Sequence, residues 1–138
     1  MARILLVEDD PMLCKEYARY LRSPDGGAYT MDEAKSATSA VQLVQQNQYD
    51  LILLDIMMAY AEEDQRNEEI DDVEVDYGRK MGLYVYRKVR ELPHPPPIAL
   101  VSVVDDYGTL SEFQEVAAYL PKYFELDKLK QLVKKCVG

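Results

Sequence analysis

The sequence predicts a single α/β domain built on an open, doubly wound parallel sheet. Three observations point there. Short apolar runs without polar alternation recur at residues 4–7, 51–54 and 98–104, the last broken only by Ser102, as expected of strands buried on both faces of a parallel sheet. Segments with helical spacing lie between them, so that strand and helix alternate five times, which favours right-handed crossovers. The chain has 138 residues, enough for one real core and too few for two ordinary domains, so residues 1–138 form one domain without repeats.

The elements follow in chain order. Residues 4–7 are the first strand. Residues 11–22 follow an acidic turn, open on Pro11 at a first helical position, and place Leu13, Tyr17 and Leu21 four residues apart, which predicts the first helix. Residues 23–27 are a turn with Pro24, Asp25 and paired glycines. A weaker strand at 29–34 leads to a helix over 36–46, with Ala37, Ala40, Val41 and Val44 on one stripe. After the strand at 51–54 the next periodic segment is 81–91, with Met81, Tyr84, Val85 and Val89 aligned. Residues 93–97 are a stiff proline-rich connection into the fourth strand, and His94 within it is expected to be solvated. A short helix over 109–116, a strand over 117–120 and a helix over 126–137 complete the chain.

Composition excludes several function classes. Sixteen basic against 25 acidic residues give a net charge of −9, which argues against a nucleic-acid or anionic-membrane surface as the main binding mode. No apolar run approaches a bilayer span, and two acids directly follow the first apolar run, unlike a signal peptide, so a cytoplasmic protein is expected. Cys14 and Cys136 are too few and too far apart in sequence to suggest a disulfide framework or a zinc site. The negative charge is local: residues 60–80 hold nine acids and three bases, a polar stretch predicted to be a mobile surface loop that folding does not need.

In an open α/β sheet, sites form at the carboxyl ends of the strands. The first run ends in Glu8, Asp9 and Asp10, the third in Asp55, the fourth contains Ser102, and the fifth is followed by Lys122. Clustered carboxylates raise one another's pKa unless a cation holds them together. Magnesium suits such a set, because it takes oxygen ligands and keeps positions for water or phosphate oxygens. Asp55 could then act as a nucleophile toward phosphorus, with Lys122 and Ser102 supplying charge and a hydroxyl donor.

These residues resemble the receiver domain of a response regulator in two-component and phosphorelay signalling. The resemblance spans nearly the whole chain and rests on ILLVEDDP at 4–11, YDLILLDIMM at 49–58, GLYVYRKVREL at 82–92, PIALVS at 97–102 and AYLPKYFELDKL at 118–129. It implies a flavodoxin-like sheet of five parallel strands in the order 2-1-3-4-5 with five helices. It also implies Asp55 as phosphoacceptor, and Asp9 as the direct magnesium ligand with Glu8 acting through water. The backbone carbonyl of Met57 matches a third protein ligand, Ser102 the hydroxyl that swings toward the phosphoryl group, Lys122 the family's cation, and Tyr119 the aromatic switch residue. Asp10 is expected to cap the first helix. Met57 and Val104 match positions that flank the path of hydrolytic water. Implied partners are a histidine kinase or histidine phosphotransfer protein and an unidentified downstream protein; a homodimer stays open. With almost nothing after the last helix, no DNA-binding or enzymatic output domain is expected in this chain, and no enzyme activity beyond self-catalysed phosphorylation and dephosphorylation.

The departures from the family are equally specific. Lys122-Tyr123 stands where relatives have Lys-Pro with a cis bond; since a non-proline cis bond costs about 2.5–4 kcal/mol, a trans bond and a displaced Lys122 are expected. Ala59 replaces a common proline. Gly82 matches a glycine that normally lies much nearer the acceptor, making residues 60–80 an insertion beside the site, either a plain surface loop or a lid or partner-specific surface that modulates access to Asp55. A degenerate receiver, binding a partner without phosphorylation, is therefore an alternative function. A dehalogenase-like phosphatase would need a second carboxylate where Met57 stands, and a flavodoxin-like electron carrier would not place three acids in its phosphate loop.

Overall fold

The computed structural model describes residues 2–72, 75, 80–103 and 112–138. Five parallel strands, β1 (Arg3–Val7), β2 (Thr30–Ala34), β3 (Leu51–Leu54), β4 (Ile98–Ser102) and β5 (Ala118–Pro121), form one sheet in the order β2-β1-β3-β4-β5. Among the described residues there are five helices: α1 (Pro11–Arg22), α2 (Ala37–Gln46), α3 (Glu62–Gln65), α4 (Met81–Arg90) and α5 (Leu126–Val137). None is long and apolar enough to cross a membrane.

Alternate side chains of the apolar strands serve two separate cores, which is why their central positions run continuously apolar. Leu5, Val7, Ile52, Leu54, Ile98 and Leu100 pack with α2 and α4 on one face. Ile4, Leu6, Leu51, Leu53, Ala99 and Val101 pack with α1 and α5 on the other. Helix starts follow their caps. Asp10 Oδ1 accepts from the amides of Met12 at 2.9 Å and Leu13 at 3.3 Å, and Ser36 Oγ accepts from Ser39 N at 3.1 Å, each satisfying an amide that the first turn leaves without a helical partner.

Four expectations need correction. The Lys122-Tyr123 bond is cis. The strand expected to reach residue 104 ends at Ser102; Val103 is a bend and 45% exposed, and Val104 lies outside the described residues. Of the helix expected over 109–116, residues 109–111 lie outside the described residues, and 112–116 form turns and a bend-free coil instead of a helix.

The insertion is the largest departure. Its described part is packed against the domain, not extended into solvent as the polar composition suggested. Asp64 is fully buried, Ile70 is 8% and Val75 1% exposed, and both apolar side chains join the core on the α2/α4 face. Asp64 Oδ1 accepts from Thr38 N at 2.9 Å and Thr38 Oγ1 at 2.7 Å, and its Oδ2 accepts from Ala61 N at 3.2 Å. The insertion thus supplies a cap to α2 from outside that helix. Asn67 Nδ2 donates to Thr38 Oγ1 at 3.1 Å and to Tyr84 Oη at 3.3 Å, linking α2 to α4. The net charge misled because a few buried residues, spaced among many exposed acids, hold the segment down.

Candidate functional site

The chain leaves β1 toward β2 on one side and later returns to place β3 on the other, so the carboxyl ends of β1 and β3 flank a crevice at the reversal of strand order. Backbone bonds carry the ladder just past the strands. Glu8 N donates to Ala34 O at 3.0 Å, Asp55 N to Val7 O at 3.1 Å, and Lys122 N to Ser102 O at 2.9 Å. Three of the predicted site residues are therefore held by the sheet itself.

Asp55, 4% exposed, stands at the centre. Its Oδ1 accepts from Ser102 Oγ at 3.0 Å and Met57 N at 3.2 Å, and its Oδ2 accepts from Lys122 Nζ at 3.3 Å. Lys122 Nζ also pairs with Glu8 Oε1, while Glu8 Oε2 accepts from Asp10 N at 3.2 Å. Ligand oxygens of Glu8, Asp9 and Asp55 all lie within 4.8 Å of one another. Asp9 Oδ2 accepts from Ala59 N at 2.9 Å. The structure thus brings Glu8, Asp9, Asp55, Ser102 and Lys122 together, and places Asp10 on the α1 cap as expected. Tyr119 is half-buried against the α2/α4 core, in register with Leu100. Met57 turns its side chain outward, 44% exposed.

Two carboxylates and one ammonium share this buried space, and the imbalance shows in their protonation. Burial, reinforced by the charge of Asp55, pushes Glu8 up to about 7 despite its pairing with Lys122. Burial raises Asp55 as well, against the lowering effects of Lys122 and Ser102. Burial works against the Lys122 charge, but the bond to Glu8 and the charge of Asp55 outweigh it and raise its pKa. An oxygen-only donor set with surplus negative charge fits a hard divalent cation, which would remove the repulsion that burial makes costly.

This has a measurable consequence. Without metal, folded Glu8 keeps a proton that the unfolded chain, near the ordinary value of 4.5, has lost, so stability contributed by protonated Glu8 declines as pH rises from 4.5 to about 7. Magnesium should therefore raise the thermal midpoint more at about pH 8 than at about pH 5.5. At ten times the dissociation constant the gain at the higher pH is about 1.4 kcal/mol, or roughly 3–5 °C. Equal shifts at the two pH values would contradict the ionisation pattern.

A family model for the "Response regulator receiver domain" matches residues 4–63. Response regulator protein TrrA of Thermotoga maritima, solved in complex with Mg(2+)-BeF, superposes with a TM-score of 0.75 at 26% identity, covering 99% of each chain. The chain is thus similar to response-regulator receiver domains, in sequence over residues 4–63 and in fold over nearly its whole length. The receiver domain of the sensor histidine kinase PA1611 from Pseudomonas aeruginosa, which has a magnesium ion coordinated in its active-site cleft, shares the fold at 23% identity with a TM-score of 0.74, covering 99% of this chain and 98% of that one. The Sensory transduction protein LytT of Bacillus subtilis is 25% identical over 135 residues, which are 98% of this chain and 48% of that protein. The chain spans about half the length of the curated relatives it matches. Receiver domains are signalling modules of two-component systems without conventional enzyme activity, and the family binds magnesium in an acidic pocket such as the one formed here by Glu8, Asp9 and Asp55.

Two contributions to the site were not foreseen. The Ala59 amide on Asp9 has no sequence signal, because every residue but proline carries an N–H. Asp64 is one of nine acids in its segment; the cap-like Ser36-Ala37-Thr38-Ser39 stretch marks where α2 begins but not which acid reaches it.

Proposed function

We propose that this receiver accepts a phosphoryl group on Asp55 from a phosphohistidine of a histidine kinase or phosphotransfer protein, with magnesium required, and signals by contact with a downstream protein. The observation that supports it best is the convergence on one buried carboxylate of the Lys122 ammonium after β5, the Ser102 hydroxyl at the end of β4, and the Glu8 and Asp9 carboxylates after β1.

In this proposal an Asp55 oxygen attacks phosphorus, a P–O bond forms as the P–N bond breaks, and the imidazole leaves with the electron pair. Lys122, already bonded to Asp55, balances charge on the phosphoryl oxygens, and Ser102 turns its hydroxyl from the carboxylate to one of them. Asp9, Asp55 and the Met57 backbone carbonyl would hold magnesium directly, with Glu8 acting through water. The bound ion would supply charge neutralisation between the incoming phosphoryl group and the carboxylates. Tyr119 would then adjust its packing against the α2/α4 core as Ser102 moves.

Incubation with acetyl phosphate and magnesium, followed by intact mass, tests this. The mass should rise by one phosphoryl group in the parent and stay unchanged in Asp55→Asn or with magnesium chelated. A parent that stays unmodified with a competent donor would favour the degenerate receiver, a protein-binding module independent of phosphorylation.

A further inference from the structure

We propose that the backbone N–H of Ala59 is a positioning group for the metal ligand Asp9, and that through it the insertion is tied to cation binding. This rests on the magnesium-binding site proposed above.

Asp9 is the least enclosed of the three clustered carboxylates: Glu8 and Asp55 are buried, whereas Asp9 is half-buried. Glu8 is fixed by Lys122 and Asp10 N, and Asp55 by Ser102, Met57 N and Lys122. Asp9 has one restraint among the described residues, the 2.9 Å bond from Ala59 N to Oδ2. An aspartate held at one oxygen by a main-chain N–H has its rotamer set and its other oxygen available, which is how partners behind the ligands commonly orient carboxylates toward an ion. Without that bond the side chain must be ordered at the moment of binding, at a cost in conformational entropy.

The donor's place in the chain gives the bond a second consequence. Ala59 lies just before the insertion, whose body is anchored on α2 through Asp64 and Asn67. Its far end returns at Gly82, whose N–H donates to Ile56 O at 2.9 Å. The segment 59–82 is thus fastened at the metal ligand, at α2 and at the backbone next to the acceptor. A cation that orders Asp9 lengthens the lifetime of the Asp9–Ala59 bond and so of the insertion's entry.

The test compares magnesium binding by titration in the parent, Ala59→Pro, which lacks the N–H, and Ala59→Gly, which keeps it. Amide hydrogen exchange of residues 59–72 in the parent, with and without magnesium, is the second measurement. Ala59→Pro should bind about 10-fold more weakly, Ala59→Gly should bind within about 2-fold of the parent, and the Ala59 amide should exchange more slowly with magnesium present. Equal affinity of a folded Ala59→Pro and the parent, or faster exchange of the Ala59 amide on adding magnesium, would overturn the inference while leaving the site itself intact. If Ala59→Pro fails to fold, the exchange measurement on the parent decides alone. A parent that binds no magnesium would instead overturn the site assignment, and this inference with it.

Discussion

Replacing residues 60–80 with a short loop will destabilise the protein by at least about 3 kcal/mol and lower its thermal midpoint by roughly 10 °C or more. The buried side chains of Ile70 and Val75 are worth about 1.5–3 kcal/mol each. The bonds from Thr38 to Asp64 add about 1–2 kcal/mol as a helix cap. Against this, shortening the connection lowers its closure entropy cost by only about 1 kcal/mol. The single change Asp64→Ala isolates the cap: it leaves the Thr38 amide and hydroxyl and the Ala61 amide without their acceptor, at an expected cost of about 1–3 kcal/mol. Urea or thermal unfolding measures both, and midpoints within a degree of the parent would show that the insertion is dispensable, as its composition alone suggests.

Gly82→Ala will impair both folding and phosphorylation. A Cβ at Gly82 would lie 2.5 Å from Asp55 O and 2.6 Å from Ile56 Cα. Both are backbone atoms that cannot rotate away, so either α4 or the acceptor turn must shift, at about 1–3 kcal/mol. Because reacting groups displaced by about 1 Å can lose about 100-fold in rate, even a partial shift of Asp55 should slow phosphoryl uptake at least about 10-fold. Initial uptake rates and thermal midpoints of Gly82→Ala and the parent check this; unchanged values of both would mean that the acceptor turn yields without cost. The close approach also explains why a glycine is kept at this point after so long an insertion: the insertion separates Gly82 from Asp55 along the chain but not in space.

What was legible in the sequence was whatever local chemistry decides. The strands could be located because burial on both faces leaves continuous apolar runs, and α1 because Asp10 and Pro11 announce its start. Strand ends converge in this architecture, so the meeting of Glu8, Asp9, Asp55, Ser102 and Lys122 could be anticipated while they are still far apart in the chain. The insertion was misjudged because its few apolar residues stand among nine acids, and because the Thr38 donors to Asp64, at the start of α2, lie more than twenty residues upstream in the chain. The backbone of Lys122-Tyr123 was misjudged for a related reason. The intrinsic preference of a non-proline bond is trans, while the observed bond is cis and Lys122 still reaches Glu8 and Asp55.

The central claim is that the aspartate at the end of β3 is the phosphoacceptor. Borohydride reduction of the protein after treatment with phosphodonor, followed by peptide mapping, locates an acyl phosphate directly, because reduction converts a phosphorylated aspartate to homoserine. The account predicts homoserine at position 55, formed only when phosphodonor and magnesium are both present. Homoserine at another aspartate, or none after treatment with a competent donor, would contradict it.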